Sequence, residues 1–98
     1  MTNQEIVNDT IEYIGKNGND FTQWYVGIAS SPETRLFSDH NVLKVGGAWI
    51  YCPAASSEDA RIVEDHIISK YKTKGDGGGG DSSTKWVYAY KITGSTKQ

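Results

Sequence analysis

The sequence is short of cysteine, of proline and of net positive charge. Its one cysteine, Cys52, excludes an internal disulfide and fits a reducing, cytoplasmic setting. Its two prolines, Pro32 and Pro53, act as punctuation: the first suits the opening position of a helix, and the second ends a strand. No apolar run approaches the roughly 20 residues that a membrane helix needs. Met1 to Glu5 has neither the basic nor the apolar region of a secretory signal, so no membrane partner is expected. Ten Lys and Arg stand against twelve Asp and Glu, a formal net charge of -2. That balance does not favour broad electrostatic attachment to nucleic acid. A local patch survives it. Lys70, Lys72 and Lys74 cluster, with Lys85 and Lys91 further on, although these lysines equally serve to solubilise and to suit the negative end of a helix dipole.

What is present is one domain spanning 1–98. Ninety-eight residues cannot hold two independent cores, and 37% hydrophobic residues suffice for one modest core. Stability on the order of 5–10 kcal/mol is expected at this size. Three Trp, six Tyr and two Phe argue against disorder.

Residues 3–16 read as an N-terminal helix. Ile6, Val7, Ile11 and Ile14 share one face at about 100° per residue, and Gly15 and Gly18 supply the stop. Phe21 to Ala29 reads as a strand with Trp24, Val26 and Ile28 toward the core and Tyr25, Gly27 and Ala29 on the other face. Ser31-Pro32-Glu33 starts a helix that runs to about His40-Asn41. Ala48 to Cys52 reads as a short strand. A third helix is capped by Ser56, carries the stripe Ala60, Val63, Ile67, Ile68, Tyr71, and is closed by Gly75. Residues 75–84 form a Gly-rich connector, Lys85 to Ile92 a last strand, and 93–98 a flexible tail. These helices and strands make the expected fold class α/β, of the α+β kind.

Glu64 falls inside the apolar stripe of the third helix, between Ala60, Ile68 and Tyr71. A carboxylate there loses hydration unless a cation, a donor or water meets it. A salt bridge or a snorkelling position at the stripe's edge would satisfy a lone glutamate. Other polar residues accompany it, however. The stretch Trp24-Tyr25-Val26-Gly27 to His40-Asn41 resembles the GIY-YIG nuclease family. Tyr25-Val26-Gly27 supplies that family's Tyr-X-Gly strand motif. Arg35 follows the glycine by eight residues, His40-Asn41 comes five after the arginine, and Ala60 precedes Glu64 by four. The resemblance covers about residues 23–68, and it implies a small three-stranded, mainly antiparallel sheet flanked by helices.

The resemblance implies a domain that acts on nucleic acid as a metal-dependent endonuclease. It makes Tyr25 part of a proton network, Arg35 the phosphate clamp, His40 an assisting group and Glu64 the ligand of Mg²⁺ or Mn²⁺. Those roles suit the chemistry. Arginine clamps a phosphate bidentately, a carboxylate oxygen holds a hard cation, and tyrosine or histidine relays a proton. Against these stand plain structural roles: an i, i+4 pair of Arg35 with Asp39, an ordinary sheet tyrosine, and a histidine favoured at a helix end. The family's first motif, Gly-Ile-Tyr, is missing. Tyr13 has nearly its spacing but lies in a helical pattern, which leaves Tyr88 or Tyr90 of the last strand to stand in. A scaffold that binds nucleic acid or a protein partner without cutting is the alternative, and a targeting partner would suit so small a nuclease.

Other motifs carry less. The glycine run fails as a phosphate loop, because Asp81 stands where lysine is required and a strand follows instead of a helix. A hairpin connector is the plainer reading of it, a ligand-responsive flap the sharper one. Cys52, His40 and His66 lack zinc spacing, and Cys52 reads as a small buried strand residue rather than a nucleophile.

Overall fold

Thr2 begins the first helix by a reciprocal cap. Its hydroxyl accepts from the Glu5 N–H at 3.1 Å, and the Glu5 carboxylate accepts from the Thr2 N–H at 2.8 Å, which satisfies two donors that a helix start leaves open. The computed structural model of the chain describes residues 1–75 and 81–98. It contains α1 (Asn3–Lys16), β1 (Trp24–Ala29), a π-helix (Thr34–Asp39), β2 (Trp49–Pro53), α2 (Ser57–Tyr71) and β3 (Trp86–Lys91). The three strands form one antiparallel sheet in the order β1-β3-β2, so the last strand is central. The small α+β fold with a three-stranded antiparallel sheet, expected from the elements and the resemblance, is the one observed. Among the described residues no helix is long and apolar enough to cross a membrane.

Both faces of the sheet are covered, which is why β1 and β3 are buried almost throughout. On one face α1 and α2 pack through Ile6, Ile14, Ala60, Val63 and Ile67 against Trp24, Val26, Val87 and Ala89. On the other face Leu36 of the π-helix and Val42, three residues beyond its end, lie with Tyr25, Ala29, Tyr88 and Tyr90. Period-2 alternation separates the two sets along each strand. Tyr13, on α1, takes its ring edge to Trp24 at 5.8 Å and its hydroxyl to the Trp49 N–H at 3.2 Å, so it belongs to the helical core and not to a strand.

Three expectations are corrected. The third helix is not closed by Gly75: it ends at Tyr71, and Lys72 takes the left-handed conformation with φ 64°. The chain then runs beside β1, where Lys74 exchanges main-chain bonds with Trp24 and Val26 at 2.7 and 3.0 Å, covering an edge that would otherwise be open. The second helix is a π-helix rather than an ordinary one, closed by the His40 N–H on the Arg35 carbonyl at 2.8 Å. The tail, read as flexible, is tied down. Lys97 N–H donates to the His40 carbonyl at 2.7 Å, and the Asn41 side-chain amide donates to the Ser95 carbonyl at 2.8 Å. Of the Gly-rich connector at 75–84, residues 76–80 lie outside the described residues.

Candidate active site

The register of the sheet assembles the site. Tyr25 pairs with Tyr90 and Gly27 with Tyr88 across β1 and β3, and all four stand on the face away from α1 and α2. Gly27 leaves the space that Tyr88 fills. A Cβ there would lie 2.5 Å from the Tyr88 hydroxyl oxygen and 2.6 Å from its Cζ. The Tyr88 hydroxyl is therefore seated directly over the β1 backbone. Tyr25 stacks on Tyr90 with ring centroids 5.3 Å apart and lies 4.7 Å from the His40 ring.

The π-helix brings Arg35 and His40 to this face together. Five residues of α-helix would set them about 140° apart. A helix closed by i to i+5 bonds places residues five apart over one another, and these two are the pair so joined. His40 is 3% exposed. Its Nε2 lies 2.8 Å from the Tyr88 hydroxyl, and its Nδ1 lies 2.7 Å from the Lys97 carbonyl and 3.0 Å from the Tyr90 hydroxyl. Arg35 keeps a side chain 44% exposed and pairs with Asp39 at 3.4 Å. Partial burial works against its charge. Hydrogen bonding and charge attraction to Tyr88, with Asp39 and Tyr25 adding to them, nevertheless hold its pKa above the usual arginine value.

Three of the four residues singled out in the sequence, Tyr25, Arg35 and His40, thus meet on one face. Glu64 is placed differently. It is 2% exposed and belongs to the buried stripe of α2, the helix packed on the opposite face of the sheet. Two participants were undervalued: Tyr90, and the main chain at Lys97. The first had a signal in the alternation Tyr88, Tyr90 opposite Tyr25 and Gly27. The second is a backbone atom and has none.

A divalent cation needs oxygen donors with room for its retained water. Among the described residues no group of three or more His, Cys, Asp or Glu is placed to hold a metal ion, and the Glu64 carboxylate is covered. The residues described do not fit a resident ion.

Fold and site together define a small α+β domain with a Tyr-His-Arg cluster seated on one sheet face. No protein-family model matches the chain, and neither a curated protein nor a solved structure matches it.

Proposed function

We propose that the chain is a GIY-YIG-like domain that acts on nucleic acid and cleaves phosphodiester bonds, with Tyr88 in place of the tyrosine of the absent first motif. The observation that carries this is the Tyr88 hydroxyl held 2.8 Å from His40 Nε2 beside the Arg35 guanidinium. An exposed Arg35–Asp39 pair is worth only about 0.2–1 kcal/mol. A phosphate, which arginine holds by two parallel charge-assisted bonds, displaces Asp39 readily. In the step that follows, a water oxygen forms the bond to phosphorus and passes its proton to the Tyr88 oxygen. Tyr88 gives its own proton to His40 Nε2, and the ester oxygen leaves with the bonding pair. Arg35 meets the charge that grows on the phosphate. Tyr25 packs the His40 ring in place. The resemblance also carries a Mg²⁺ or Mn²⁺ on Glu64; that carboxylate is covered on the sheet face opposite the Tyr25–Tyr88–Tyr90 cluster, so an ion there would lie apart from the phosphate that Arg35 holds. The same proposal places the domain in the cytoplasm.

A second reading is favoured by the burial of Tyr25, His40 and Tyr88: a scaffold of this kind that holds nucleic acid, or a protein partner, without cutting. One experiment separates the two. Labelled single- and double-stranded DNA and RNA are incubated with Mg²⁺ or Mn²⁺ and with wild type, Arg35→Ala, Tyr88→Phe or Glu64→Ala. Cleavage lost in Arg35→Ala and Tyr88→Phe supports the enzyme. Binding by fluorescence anisotropy with no cleavage by any form supports the scaffold. An absence of both binding and cleavage by the wild type ends the enzyme and the nucleic-acid scaffold, and leaves only a scaffold for a protein partner.

A further inference from the structure

We infer that the main-chain carbonyl of Lys97 is a positioning group for His40: it fixes the imidazole in the form that carries its proton on Nδ1 and turns the Nε2 lone pair to Tyr88. A carbonyl oxygen accepts hydrogen bonds and cannot donate them. His40 Nδ1 lies 2.7 Å from that oxygen, so the hydrogen between them is on the ring. A neutral imidazole then has no proton on Nε2, and this nitrogen accepts. The group 2.8 Å from it is the Tyr88 hydroxyl, which donates. Tyr90 closes the arrangement from the side. Its hydroxyl donates to the same carbonyl at 3.1 Å, and its oxygen lies 3.0 Å from Nδ1.

The segment that carries the carbonyl is itself anchored. Lys97 N–H returns a bond of 2.7 Å to the His40 carbonyl, so the two residues are joined twice. Asn41 holds Ser95 at 2.8 Å, and Thr93 N–H donates to the Thr96 hydroxyl at 3.0 Å, which closes the turn. Asn41 reaches this position from a left-handed conformation, φ 56°, one that asparagine tolerates better than most residues. An acceptor on one ring nitrogen that sets the tautomer and aims the other nitrogen is the general device for orienting a histidine base. Here a main-chain carbonyl near the end of the chain fills that role. The tautomer exists whether or not nucleic acid is bound. Only its consequence for proton transfer from Tyr88 rests on the proposed cleavage.

Nitrogen-correlated NMR of the ¹⁵N-labelled full chain reads the tautomer of both histidines without substrate. His40 is expected to show Nδ1 protonated and Nε2 bare, while exposed His66 shows the solvent mixture. Lys97→Ala keeps the carbonyl and should leave the His40 pattern unchanged. A chain ending at Gly94 lacks the carbonyl and should move His40 toward the mixture. Asn41→Ala, which loosens the segment at Ser95 and leaves the sheet intact, should shift it in the same direction and decides the matter if the shortened chain does not fold. A protonated Nε2 in the full chain overturns the inference, as does an unmixed Nδ1-protonated ring in the shortened chain or an unchanged spectrum in Asn41→Ala. Where the full chain cleaves, the shortened chain should lose about tenfold or more of the turnover with nucleic-acid affinity retained. Failure of every form to cleave sinks the proposed function and leaves the tautomer result standing.

Discussion

Gly27 and Tyr88 face each other across β1 and β3 so closely that a single methyl on Gly27 would meet the Tyr88 ring, 2.5 Å from its hydroxyl oxygen and 2.6 Å from Cζ. Neither atom is the end of a flexible chain, because the ring is also held by His40. Gly27→Ala should therefore cost about 1–3 kcal/mol, the range for overpacking a filled site. Urea unfolding of Gly27→Ala, Tyr88→Leu and the double variant measures the coupling. The double variant should be less destabilised than the sum of the two single ones, by about 1 kcal/mol or more. Simple additivity would mean that the two residues do not compete for the same space.

Arg35, unlike Tyr88, should separate function from stability. The Arg35–Asp39 pair is exposed and i, i+4, so its loss in Arg35→Ala should cost no more than about 1 kcal/mol. Phosphate recognition depends on the guanidinium fork, so even Arg35→Lys should weaken nucleic-acid binding or cleavage. Tyr88→Phe removes the donor to a buried histidine nitrogen and should cost about 1–3 kcal/mol, together with cleavage. Paired denaturation and activity measurements on the three variants check this. A fully active Arg35→Lys would count against a phosphate clamp.

The elements that pattern decides were legible. The faces of β1 followed from alternation at Trp24, Val26 and Ile28. The span of α1 followed from its apolar stripe, and Ser56, read as the cap of the third helix, caps α2 by accepting from the Asp59 N–H. What was hidden depends on main-chain geometry. No side-chain period announces a π-helix, so the alignment of Arg35 over His40 was not visible. The closing of α2 at Lys72 puts a lysine where glycine is the usual signal. The carbonyl of Lys97 has no residue type at all, and a run of small polar residues read as frayed is held by bonds to His40 and Asn41. Tyr88 and Tyr90 looked equivalent in the sequence. Gly27, directly opposite Tyr88, is the residue that tells them apart. Glu64 inside an apolar stripe correctly signalled burial, but burial by itself does not say which site a carboxylate serves.

Acid should destabilise the fold through its caps and turns. Hydrogen bonds from the Thr2 backbone and side chain hold the Glu5 carboxyl below its usual value, as bonds from Ser83 do for Asp81 and one from Lys16 does for Glu12. A carboxyl whose folded pKa is depressed contributes stability above its unfolded value and loses it as pH falls through the folded one. The urea midpoint should hold from pH 7 down to about 5 and decline steadily below about 4.5. Thr2→Ala removes the hydroxyl that accepts from Glu5 N–H and should flatten part of that decline. An unchanged profile in Thr2→Ala would mean that the reciprocal cap does not carry it.

Cys52 makes the opposite prediction at alkaline pH. Burial, with a further push from the charge of Asp9, raises its thiol from 9.0 to about 11. Only the thiolate is alkylated, so at pH 8 the native protein should react with iodoacetamide about a hundredfold more slowly than an unfolded cysteine. Solvent exclusion slows it further, since the side chain is buried within β2. Urea should restore the full rate. The same shift has a consequence for stability. A thiol whose folded pKa is raised favours the folded state below its unfolded value, and that advantage is lost as pH climbs from about 9 toward 11. Cys52→Ala should remove this alkaline decline while leaving a cavity that costs stability at every pH. Rapid labelling of the native chain at pH 8 would show that the β2 edge opens to solvent far more often than its packing against α1 and α2 allows.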